Sequence, residues 1–147
     1  CPRMDARHLA KHVSVSPQIA PEHLPDLRAA GFTTVICNRP DDEVPVELSA
    51  AAIASAAEAA GLTFVDNPSR PGMLTEETVA RQASAIAASE GPVLAYCASG
   101  TRSTVLWMMA EAAAGADPDA VLAAAREAGY MLDMLRPQLE AARAGDA

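Results

Sequence analysis

The chain has 147 residues, half of them hydrophobic but only 3% aromatic, and a formal net charge of −8. That length suits one domain over residues 1–147 with one core, built from Ala, Val, Leu, Ile and Met. The acidic balance, without any Lys/Arg cluster, excludes a nucleic-acid binder and disfavours membrane surfaces, and no run approaches the roughly 18 apolar residues that span a bilayer.

In chain order, His12-Val13-Ser14-Val15 alternates polar and apolar and predicts a short strand at the domain edge. Pro21 starts a helix to Ala30, stopped by Gly31 and made short or irregular by Pro25. Phe32–Cys37 is rich in β-branched residues and predicts a buried strand, followed by the polar loop Asn38–Glu43. A helix over Ser49–Ala60 closes at Gly61, a strand over Leu62–Val65 follows, and Pro71-Gly72 marks a turn. Thr75 caps a helix to about Glu90, with Glu76 and Glu77 favouring its positive end. Val93–Tyr96 is a buried strand leading into Cys97. Helices then follow over Ser103–Ala114, from Pro118 to a stop at Gly129, and over Met131–Ala144, the last bent or divided at Pro137. Alternating strands and helices, with a helical C-terminal tail, imply an α/β fold with a parallel central sheet flanked by helices.

Three cysteines without framework spacing, Cys1, Cys37 and Cys97, point to a reducing compartment and a cytoplasmic bacterial protein. No secretory signal is visible, and Cys1 reads as a processing remnant rather than a lipidated terminus.

In such a sheet, sites form at the carboxyl ends of strands, where Cys97-Ala98-Ser99-Gly100-Thr101-Arg102 sits. Amides from Cys97 to Ser103 can curl into an anion-binding nest, with Gly100 supplying the positive φ. The helix N-terminus adds partial positive charge, and Arg102 offers a planar fork for an oxyanion. The same field favours a thiolate at Cys97, and hydroxyls of Thr101, Ser103 or Thr104 are candidate donors to its sulfur.

The stretch "VLAYCASGTRSTVLWMMA" resembles the active loop of the phosphatase-like domain of beta-lactamase-hydrolase-like proteins. The resemblance extends through "VSVSPQIAPEHLPDLRAAGFTTVICNRPDDE" and "AAEAAGLTFVDNP", over about residues 12–132. It implies a fold like that of dual-specificity protein tyrosine phosphatases, with Cys97 as nucleophile and Arg102 as anion ligand. That family often has Arg where this chain has Ala98, so one positive charge is missing from the cradle.

Two features lean from phosphorus toward sulfur. Four residues separate Cys97 from Arg102, as in the loop of rhodaneses, where tyrosine phosphatases have five. The loop Asn67–Gly72, where resembling phosphatases carry an acidic residue, holds no carboxylate; Asp66 before it is the candidate general acid. Sulfur transfer needs no acid, because a thiolate attacks sulfane sulfur directly. The sequence therefore predicts a sulfurtransferase working through a Cys97 persulfide, with a small sulfur-bearing anion as substrate and a thiol acceptor. The alternatives are a phosphatase passing through phosphocysteine and a non-catalytic anion-binding module. No cofactor is implied.

Arg39 ends a strand as Cys97 does and is a candidate substrate contact, or else pairs with Asp41, Asp42 or Glu43. Cys37 is either a resolving thiol or a buried small hydrophobe. His8 and His12 have the spacing of a helical metal pair but lack a third ligand, and Trp107, Met108 and Met109 read as core.

Overall fold

A computed structural model describes residues 6–10, 12–70 and 75–144. Cys1 and the expected turn at Pro71-Gly72 lie outside them. Five strands form one sheet in the order β1-β2-β5-β3-β4: β1 (Arg7–Ala10), β2 (Val13–Ser16), β3 (Thr34–Cys37), β4 (Thr63–Asp66) and β5 (Val93–Tyr96). The helices are α1 (Leu24–Ala29), α2 (Ala50–Ala59), α3 (Glu76–Ala88), α4 (Thr101–Ala113), α5 (Pro118–Glu127) and α6 (Arg136–Ala144).

Strands β2, β5, β3 and β4 run parallel, as the strand–helix alternation requires. The outermost strand corrects the expected edge. Only residues 11 and 12 join β1 to β2, too few for a crossover, so β1 pairs antiparallel with β2 and takes the edge itself. That pairing also removes the expected histidine pair. His8 stands in β1 opposite Ser14, and His12 lies in the connection, so no helix brings them onto one face. No group of three ligating side chains is assembled among the described residues.

Side-chain alternation divides the core. Val93 and Ala95 of β5, with Val15 and Ile36, pack under Trp107, Met108, Val121, Leu122 and Leu139 on the face covered by α3 to α6. Leu94 and Tyr96, with Val35 and Cys37, pack against Leu24, Leu27 and Ile53 on the face of α1 and α2. The last helical stretch, expected to be bent or divided at Pro137, is divided just before it. A one-turn helix at Asp133–Leu135 precedes α6, and Pro137 occupies its first turn, where a missing N–H costs nothing. Among the described residues, no helix is long and apolar enough to cross a membrane.

Candidate active site

Strand β5 delivers Cys97 to the carboxyl edge of the sheet, fully buried. The chain then turns at once into α4, two residues earlier than the sequence predicts. Gly100 caps that helix with φ 94° and ψ −12°, a left-handed conformation suited to glycine. Its N–H donates to Cys97 Sγ at 3.1 Å, so the helix N-terminus and one oriented amide both face the sulfur.

The three hydroxyls expected near the sulfur are committed elsewhere. Ser103 Oγ donates to Asn38 Oδ1 at 2.9 Å, and Thr104 Oγ1 donates to the Gly100 carbonyl at 2.7 Å. Thr101 Oγ1 pairs with Ser99 Oγ at 3.0 Å on the exposed rim, beside exposed Ala98. A helix beginning at Thr101 turns Ser103 and Thr104 into its own first turn, where they serve packing and capping.

Arg102, in that same turn, has its side chain 13% exposed and its guanidinium strongly held. Nη1 and Nη2 grip the Glu43 carboxylate at 3.1 and 2.8 Å, and Nη1 also donates to the Ser69 carbonyl at 2.7 Å. Arg39 joins the same carboxylate, with Nε donating to Glu43 Oε1 at 3.3 Å and Nη2 to the Glu43 carbonyl at 3.1 Å. Its Nη1 reaches Gln18 Oε1 at 3.3 Å. Arg39 thus pairs with an acid, one of its two expected fates, and that acid also ties it to Arg102. Two guanidinium groups share one carboxylate here, leaving local positive charge in a protein of net charge −8.

The grip of Arg102, aided by Arg39, holds the Glu43 carboxyl below the usual carboxylate range. A depressed folded-state value means that Glu43 stabilises the fold above its unfolded pKa and loses that contribution as pH falls through the lowered one. A Glu43→Gln variant is therefore expected to melt below wild type at neutral pH. The gap narrows as acid protonates Glu43 in wild type, which melting curves from pH 7 down to strongly acid conditions check.

Two other expected residues lie on the sheet face covered by α1 and α2. Strand alternation turns Asp66 away from Val65, toward the face that holds Cys37 and Tyr96. There Asp66 lines a cleft of about 460 Å³ with Pro40, Asp41, Asp42, Pro68 and Arg70. Burial and the neighbouring Asp41 push its carboxyl above the ordinary range. Cys37 lies on that face too, donating to the Arg39 carbonyl at 3.3 Å, and burial pushes its thiol up. It packs in the core as a small buried residue.

Beneath the site lies a buried amide network that sequence reasoning missed. Asn38 Nδ2 donates to the Asn67 carbonyl and to Gln82 Oε1, both at 2.9 Å. Its Oδ1 accepts from Gln82 Nε2 at 3.0 Å and from Ser103. Asn67 Nδ2 donates to Gln82 Oε1 at 2.9 Å and to the Thr78 carbonyl at 3.0 Å. The Asn38 carbonyl also accepts from Ser69 N–H at 2.9 Å, fixing the residue whose own carbonyl holds Arg102. The available signal was positional, because Asn38 and Asn67 each follow the last residue of adjacent strands.

Comparison with known proteins agrees with this fold. The sequence profile of the beta-lactamase hydrolase-like protein, phosphatase-like domain, matches residues 5–116. A beta-lactamase hydrolase-like protein of Agrobacterium fabrum is 33% identical over 112 residues, which cover 76% of this chain but 26% of that protein. The chain thus spans about a quarter of the curated relatives' length. Among solved structures, a candidate phosphatase of Neisseria meningitidis z2491, nma1982, is 34% identical over 96% of this chain and 100% of its own, with a TM-score of 0.84. Tk-PTP in its active form, 18% identical, covers 97% of this chain and 98% of its own at a TM-score of 0.74, which establishes the shared protein tyrosine phosphatase-like fold. These relatives favour the phosphorus alternative over the predicted sulfur chemistry. The chain belongs to the phosphatase-like domain family of the beta-lactamase hydrolase-like proteins.

Proposed function

We propose that the domain is a cysteine-dependent phosphatase that hydrolyses small phosphate esters through a phosphocysteine. The supporting observation is the arrangement of Cys97 Sγ under the Gly100 amide at the start of α4, with the Arg102 fork in the same helical turn. Cys97 thiolate attacks phosphorus, the P–O ester bond breaks, and the leaving oxygen takes its proton from solvent. Water then attacks the phosphocysteine, releasing inorganic phosphate and the thiolate. Loop amides from Ala98 to Ser103 and the Arg102 guanidinium bind the phosphoryl oxygens, and Arg39 supplies the second positive charge that the loop lacks at Ala98. The nucleophile must stay reduced, which suits a cytoplasmic setting.

The proton is drawn from solvent because Asp66 lines the cleft of Pro40, Asp42 and Arg70, and Glu43 is ion-paired and unsuited to donate one. Substrates whose leaving group needs no proton are then preferred. Aryl phosphates are expected to be hydrolysed about 100-fold faster than alkyl phosphates, the lower bound of what a general acid contributes. Steady-state assays on para-nitrophenyl phosphate and a simple alkyl phosphate, with a Cys97→Ser control, measure this. Intact mass after rapid quench should gain one phosphoryl group on Cys97. Absence of both turnover and adduct in folded protein rejects the proposal.

The four-residue spacing between Cys97 and Arg102 supports a second reading, sulfur carriage. A gain of one sulfur atom after thiosulfate, absent in Cys97→Ser, would favour it, with a thiol acceptor as partner.

A further inference from the structure

Tyr130 reaches the reactive loop from beyond the residues matched by the family profile, 5–116. It follows Gly129, whose φ of 99° ends α5, and its N–H donates to the Ala125 carbonyl at 2.9 Å. Its ring lies 5.7 Å from the Arg7 guanidinium, which itself donates to the Ala128 carbonyl at 3.0 Å. The residue is 9% exposed and packs into the core on the α4 face. With backbone and ring fixed, the hydroxyl has a set position, and it donates to the Ser99 carbonyl at 3.1 Å.

The Ser99 carbonyl and the Gly100 N–H are opposite ends of one peptide. In a trans peptide they point in opposite directions. Tyr130 holds the carbonyl end, and Cys97 Sγ receives the N–H end. Gly100 is also the residue that makes this peptide easy to rotate, because glycine accepts either sign of φ. Rotated over, the peptide would set a carbonyl oxygen against a negatively charged sulfur.

We infer that Tyr130 is a positioning residue for the nucleophile: its hydroxyl locks the Ser99–Gly100 peptide with the N–H toward Cys97. The hydroxyl, the peptide and the sulfur form one hydrogen-bonded chain, and polarisation along it strengthens the donor that favours thiolate. This deepens the phosphatase reading and rests on it only in taking Cys97 as the nucleophile.

Tyr130→Phe removes the hydroxyl and keeps the ring. Alkylation of Cys97 by iodoacetamide, followed by peptide mass spectrometry, is expected to slow about fivefold at pH 7. The gap between the two rates is expected to close as pH is raised to 10. A change in access alone would slow both. With para-nitrophenyl phosphate, kcat falls by a similar factor and KM changes little. Replacing Tyr130 with 4-aminophenylalanine restores a donor and recovers the rate at pH 7, including where Tyr130→Phe proves too unstable to measure. Equal rates at pH 7 in folded Tyr130→Phe, or slowing that persists at pH 10, overturn the inference. If wild type hydrolyses no phosphate ester, the phosphatase reading fails while the alkylation arm still decides the role of Tyr130.

Discussion

A Gly100→Ala variant is expected to lose about 100-fold or more in turnover of an aryl phosphate while remaining folded at room temperature. Two effects act at this position. Alanine at φ 94° costs roughly 1–2 kcal/mol in the left-handed region. A Cβ there would also run into the Tyr130 hydroxyl, which is held by ring packing and the α5 terminus. Neither strain relaxes without moving the loop, and the loop carries the amide that faces Cys97. The loss should appear mainly in kcat, because misplacing this amide disturbs the nucleophile more than it disturbs the grip on the substrate. Combining Gly100→Ala with Tyr130→Phe relieves the nearest contact and leaves the backbone strain. The double variant is therefore expected to recover part of the lost melting temperature but not wild-type turnover. Melting curves and steady-state kinetics on the two single variants and the double variant measure both. Full turnover in Gly100→Ala would mean that the amide of residue 100 is not needed by the nucleophile.

What the sequence shows depends on how far apart the interacting residues lie. Cys97, Gly100 and Arg102 stand close together in the chain, so the proposed nucleophile and the positive φ were legible together, and the helix start to within two residues. The parallel strands were legible for the same reason, since each is a short segment with its own apolar or β-branched residues. The edge strand was not, because Arg7–Ala10 has no β-branched residue and is defined by its hairpin partner. The histidine spacing looked helical on a segment that pairs as a strand. Glu43 was legible only as a partner for nearby Arg39, because Arg102 lies 59 residues away and the contact depends on the sheet order β5-β3. Asn38 and Asn67 look like ordinary loop residues, and only Gln82, buried from a helix with alternating polar neighbours, converts them into a network. The choice between sulfur and phosphorus rested on loop length and a missing acid, both local features. The family to which the chain belongs weighs against that local evidence.

Replacing Asn38 with alanine is expected to cost about 3–5 kcal/mol of stability, a drop in melting temperature of roughly 6–20 °C for a chain of this size. The side chain is fully buried and makes four hydrogen bonds, two as donor and two as acceptor. Its removal leaves Gln82 Nε2 and Ser103 Oγ without their shared acceptor and takes one donor from the Asn67 carbonyl. Each buried group left short costs roughly 1–3 kcal/mol, and the small cavity adds to the loss. Asn38→Leu restores volume but not partners, so it should recover little. The same change reaches the site by a second route. The Asn38 backbone positions Ser69, whose carbonyl holds Arg102, while the Asn38 side chain holds Ser103, the neighbour of Arg102 in α4. Below its melting range, Asn38→Ala is therefore expected to lose kcat/KM beyond what its unfolded fraction explains. A Gln82→Met variant, which removes the partner farther from Arg102, should lose comparable stability with a smaller change in kcat/KM. Equal kinetic losses in the two variants would mean that the network supports the fold alone and leaves the position of Arg102 to Glu43.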